Sequence, residues 1–98
     1  MTDWNQLAPD LKMCVTIHNE NKAGRKVWMS RLRALLKGDC TKLELSKNED
    51  KLNDLGIITG AYEKVDGKWT YCYQIDSDAE SFIKNVAENT NQEATART

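Results

Sequence analysis

Asp66-Gly67 separates two runs that read as β-strands, and this junction constrains the chain more than any other feature. Ile57-Ile58-Thr59-Gly60-Ala61-Tyr62-Glu63-Lys64-Val65 leads into it and Lys68-Trp69-Thr70-Tyr71-Cys72-Tyr73-Gln74-Ile75 leads out. Both central residues of a type I′ turn need positive φ, a conformation that Asp-Gly adopts readily. A two-residue turn pairs Tyr62 with Tyr71 and Lys64 with Trp69, so Tyr62, Trp69, Tyr71 and Tyr73 share one face of the ribbon. Aromatics on one face usually complete a core. Tyr62, Tyr71 and Tyr73 are therefore expected to pack inward, with Trp69, beside the turn, as the exception.

Before the hairpin the apolar period is helical. Pro9-Asp10 suits a helix start, and Leu11, Cys14, Val15 and His18 recur at helical spacing, with Met13 and Ile17 broadening the stripe. Gly24 follows a polar stretch, so the first helix is expected over about 10–22. Arg25-Lys26-Val27-Trp28 reads as a short extended step. Met29 opens a second helix with Leu32, Leu35 and Leu36 inward and Arg31 and Arg33 outward, ending at Lys37-Gly38. Thr41-Lys42-Leu43-Glu44 fits a capping box, while Thr41–Leu45 also alternates like a strand. One helix over about 41–55 is preferred, because Leu45, Leu52 and Leu55 share a face and Gly56 supplies a stop. Asn48 and Glu49 interrupt that stripe.

After the hairpin, Asp76-Ser77-Asp78 offers N-caps for a last amphipathic helix carrying Ala79, Phe82, Ile83, Val86 and Ala87. Residues 1–88 are expected to form one α+β domain, with 89–98 a disordered tail lacking large apolar residues. The 98 residues suffice for one core. No apolar run approaches the roughly 20 residues that span a bilayer, and the N-terminus lacks the pattern of a signal peptide. A cytoplasmic protein without membrane association is expected. The three cysteines, Cys14, Cys40 and Cys72, include no CxxC pair, so free thiols are expected, with Cys14 and Cys72 buried.

The order of helix, extended step, helix, turn, helix, hairpin and helix is that of a winged helix-turn-helix. From Leu11 to about Ala87 the chain resembles the MarR-like and ArsR-like transcriptional regulators. The resemblance is carried by Leu52-Asn53-Asp54-Leu55-Gly56-Ile57-Ile58, which is similar to the family's Leu-x-x-Leu-Gly-Leu-Ile end of the recognition helix, and by Leu32 and Leu36. It implies a DNA-binding transcriptional regulator whose third helix enters the major groove while the wing touches the flanking backbone.

Net charge is −1, yet the cations are clustered. Lys22, Arg25, Lys26, Arg31, Arg33 and Lys37 fall in one stretch that contains no acid. The expected partner is double-stranded DNA. Thr41, Lys42, Ser46 and Lys47 are the candidate groove-facing residues, Arg25, Lys26, Arg31 and Arg33 the backbone contacts, and Lys64 and Lys68 the wing contacts. The third helix sets Lys42, Lys47 and Lys51 against Glu44, Glu49, Asp50 and Asp54. Carboxylates facing phosphate are repelled, so the alternative is a winged-helix module that binds protein instead of DNA. A homodimer is expected through spare apolar material at the termini: Phe82, Ile83 and Val86 with Trp4 and Leu7. Cys14 and His18 are spaced i,i+4 on the apolar stripe and are too few to hold a structural zinc, so neither metal nor cofactor is expected. His18 has no evident serine or carboxylate partner, and no enzyme activity is expected.

Overall fold

In the computed structural model, residues 2–91 are described. Asp66 and Gly67 take φ of 52° and 81° and close a two-residue turn. It joins β2 (Ile58–Val65) to β3 (Lys68–Ile75), with Tyr62 opposite Tyr71 and Lys64 opposite Trp69, the register that the turn demands. The helices are α1 (Pro9–Lys22), α2 (Met29–Leu35), α3 (Lys42–Asp54) and α4 (Ser77–Glu88). Two short strands, β1 (Thr2–Asp3) and β4 (Thr90–Asn91), pair in parallel. A single 3-10 turn, Trp4–Gln6, follows β1.

The extended step between α1 and α2 is present. Trp28 bridges Cys72 and the Tyr73 amide donates to the Val27 carbonyl, so the step extends the hairpin at the outer edge of β3. Thr41 starts α3 through a complete capping box: its hydroxyl accepts from the Glu44 amide and the Glu44 carboxylate accepts from the Thr41 amide. The helical reading of 41–45 is thus the realised one, since the box satisfies two free N–H groups locally.

The core lies around α1, which buries Met13, Cys14, Val15 and Ile17 and packs on α2, α3, α4 and β3. A helix covered on several sides is apolar over a wide arc. Leu32 and Leu36, Leu45 and Leu52, Ile58 and Tyr73, and Ile83 close on it from the surrounding elements. All three cysteines are free. Burial pushes the Cys14 thiol up to about 12 and that of Cys40 up to about 11, which leaves both as poor nucleophiles at neutral pH.

Several inward expectations fail, for one reason: neighbouring elements cover less than the apolar pattern offers. Leu35 and Leu55 are exposed, Leu35 in the last turn of the short α2 and Leu55 at the C-cap of α3. Of the hairpin's three tyrosines only Tyr73 is fully buried. Tyr71 is partly exposed and Tyr62 is 68% exposed, because the ribbon outruns the helices before reaching them. Tyr62 and Tyr71 meet edge to face, as do Tyr71 and Tyr73, so the rings pack on each other instead. Trp69 is 67% exposed, as its position beside the turn implies.

Trp4 is not spare surface. It is 4% exposed within the core, with the Lys12 ammonium 5.9 Å from its ring centroid. The ordered chain also passes the expected boundary at residue 88. Thr90 is buried opposite Thr2 and donates its hydroxyl to the Val86 carbonyl. The remainder of the expected tail, 92–98, lies outside the described residues.

Candidate nucleic-acid interface

Leu45 and Leu52 pin one side of α3 to the core, which turns Leu43, Ser46, Lys47, Asp50 and Asp54 outward. The outward face is divided. Its first half carries Lys42, Leu43, Ser46 and Lys47, all exposed, and its second half carries Asp50, Asn53 and Asp54. Among the described residues no carboxylate pairs with Lys42 or Lys47. Thr41 stands at the N-terminus with its hydroxyl committed to the cap. Lys51 is committed too, donating to Asp10 at 2.8 Å and so tying α3 to α1. Half-buried Glu49 has its carboxyl raised by burial and by the neighbouring Asp50 charge.

The basic stretch that follows α1 does not act as a unit. Glu20, buried near the end of α1, gives one carboxylate oxygen to each of two arginines. Arg25 donates Nε and Nη2 to Oε2 at 3.0 and 2.8 Å, and Arg31 donates Nε to Oε1 at 2.9 Å with Nη2 on the same oxygen. Burial pushes the Glu20 carboxyl up, but the hydrogen bonds and charges of both arginines outweigh it and hold it below the usual range. Two of the expected phosphate contacts are therefore fixed to a carboxylate. Glu20 was missed as a partner because it precedes the acid-free stretch; its five-residue spacing from Arg25 was the available signal.

Lys26 turns to the hairpin, donating to the Lys64 carbonyl at 3.1 Å with its ammonium 3.8 Å from Glu63. Lys64 lies over the Trp69 ring, 5.5 Å from the centroid. Arg33 and Lys68 are exposed and have no ion-pair partner among the described residues. Ten residues were expected at the interface. Lys42, Ser46, Lys47, Arg33 and Lys68 are exposed without such ties; Thr41, Arg25, Arg31, Lys26 and Lys64 are each engaged within the chain.

No protein-family model matches the sequence, and no curated protein matches it. Among solved structures, the chain is similar to the crystal structure of the circadian clock associated protein Pex from Anabaena. The TM-score is 0.64 at 17% identity, over 89% of this chain and 77% of that one. This chain has a winged-helix fold.

In that frame α2 and α3 form the helix-turn-helix and β2–β3 is the wing. The wing tip, with Lys64, Lys68 and Trp69, projects beyond the helical core, as the exposure of Tyr62 and Trp69 records. Among the described residues of this winged helix, no helix is long and apolar enough to cross a membrane. No group of three or more His, Cys, Asp and Glu side chains is placed to hold a metal ion among those residues.

Proposed function

We propose that this winged helix is a cytoplasmic transcriptional regulator that binds double-stranded DNA and performs no catalysis of its own. The observation that carries the reading is the first half of the outward face of α3. Lys42, Ser46 and Lys47 stand there exposed and without an ion-pair partner among the described residues, where helix-turn-helix proteins bring the recognition helix to base edges. Arg33 on α2, and Lys68 and Lys64 on the wing, would meet phosphates. The resemblance of Leu52–Ile58 to the MarR-like and ArsR-like recognition-helix ending points the same way.

Fluorescence polarisation with random and selected duplexes tests this. Log affinity should fall linearly with log salt, at about −0.9 per neutralised phosphate. Arg33→Ala should weaken binding to every duplex and make the slope shallower, whereas Lys47→Ala should matter most for a preferred sequence. Absence of binding at about 50 mM salt, where phosphate contacts are still strong, defeats the proposal. A protein-binding module is then the better reading. It is favoured by Asp50 and Asp54 on the outward face of α3 and by the exposure of Leu43 and Leu55.

The same reading includes a weak homodimer. Phe82 on α4 is 60% exposed and, with Leu7, Leu11 and Val86, borders an apolar cleft of about 330 Å³ at the end of the molecule where β1 meets β4. Two such faces meeting by a two-fold axis would cover Phe82 and present two recognition helices to a palindrome.

A further inference from the structure

The last turn of α1, the extended step, the far half of β3 and α4 enclose an open cleft of about 620 Å³, on the scale of small-molecule sites. Asn21 forms part of its wall. Its side-chain amide donates to the Tyr73 carbonyl and accepts from the Ile75 amide, both at 3.4 Å, so the free edge of β3 is occupied by protein. Tyr73 and Ile75 supply apolar surface.

His18 lines the cleft while only 9% exposed, and its ring has no hydrogen-bond partner among the described residues. The one fully buried side-chain polar atom lacking a partner among the described residues is Trp4 Nε1. The ring nitrogens of His18 therefore keep access to the cleft. An imidazole offers at least one N–H donor in either protonation state, and a buried donor favours occupation by an acceptor.

Charge selects the ligand. Four cations and two carboxylates line the cleft. Lys26 is held by Glu63 and Arg25 by Glu20, which leaves Lys22 and Lys84 without ion-pair partners among the described residues, with Glu80 as the lining carboxylate that no ion pair holds among them. That balance favours an anion, and Glu80 opposes a dense polyanion.

We infer that this cleft binds a small organic monoanion, its acidic head met by Lys22, Lys84 and His18 and its carbon body lying on Tyr73 and Ile75. The inference does not depend on DNA binding. Lys26 and Glu63 join the extended step to the wing and form part of the cleft wall.

The test is an amide NMR titration of the full chain with benzoate and hexanoate, each against its uncharged amide. Either carboxylate should saturably shift the signals of His18, Tyr73 and Lys84 at millimolar concentration, the range of fragment-sized ligands. The amides should bind at least about tenfold more weakly. The Lys22→Gln/Lys84→Gln double variant replaces exposed side chains and should remain folded while losing at least about tenfold in carboxylate affinity. Four results would each overturn the inference: no saturable shift, an equal response to the amides, unchanged affinity in the double variant, or shifts centred on Phe82 instead of His18.

Discussion

Arg31 and Glu20 meet across eleven residues, both Nε and Nη2 of the arginine donating to a single carboxylate oxygen, while Arg25 takes the other. The pair joins the end of α1 to α2 and removes two cations from the free basic surface. Glu20→Gln should destabilise the fold by about 2 kcal/mol, the range for a hydrogen bond to a charged group. If the chain binds DNA, the same change should release two arginines, tighten non-specific binding and steepen the salt dependence. Chemical denaturation and salt-titrated polarisation read the two effects separately. Weaker binding by Glu20→Gln would mean that the arginines contact phosphate only while Glu20 orients them.

Acid should act through Glu20 and Asp10. The hydrogen bond from Lys51 holds the Asp10 carboxyl below its ordinary value, and the arginines do the same for Glu20 against its burial. A carboxyl whose folded pKa is depressed contributes stability that is complete above its unfolded pKa, about 3.9 for Asp and 4.3 for Glu, and is lost as pH falls toward the folded value. Stability should therefore decline below about pH 4 to 5. The Asp10→Asn/Glu20→Gln variant should be less stable at neutral pH and flatter with pH, as urea melts along a pH series would record. Glu49 has the opposite sign: its carboxyl is raised, so Glu49→Gln should gain a few tenths of a kcal/mol at pH 7, within the range for surface changes.

Gly60 lies under the Tyr71 ring, where an added Cβ would overlap the ring's outer edge. Because Tyr71 is partly exposed, the ring can swing away, and Gly60→Ala should cost about 1 kcal/mol, the typical single-mutant effect. A double-mutant cycle isolates the contact: in a Tyr71→Ala background the same change should cost almost nothing. Equal costs in both backgrounds would place the penalty in the strand backbone instead.

The wing's aromatics should separate by depth. Tyr73→Ala should cost about 3–5 kcal/mol, the range for large aromatic truncations in a core. Trp69→Ala gives up chiefly its contact with Lys64, worth under about 1 kcal/mol at an exposed site, and Tyr71→Ala should fall between them. Thermal or urea melts of the three variants rank them directly.

Assembly should depend on Phe82. Sedimentation should show self-association at high micromolar concentration, abolished by Phe82→Ser with the melting temperature of the dilute protein unchanged. A wild-type monomer at that concentration would refute the homodimer.

The sequence by itself determined the features that rest on local backbone preference. Asp66-Gly67 specified the turn and hence the whole register of β2 and β3, and Thr41 with Glu44 specified the start of α3. The helical periods of α1 and α4 reported which elements exist and their order. Each of these is decided within a few residues by φ, by free N–H groups or by side-chain spacing. Only tertiary structure decided which apolar side chains found cover and which charges found partners. Leu55 and Tyr62 carry core-like patterns yet project past the elements that would bury them. The basic stretch contains no acid, yet α1 brings Glu20 against Arg25 and Arg31. Thr90 falls within the expected polar tail of 89–98, yet the fold lays it beside Thr2, eighty-eight positions away along the chain. Burial and ion pairing depend on distances between elements, and a chain's own order does not record them.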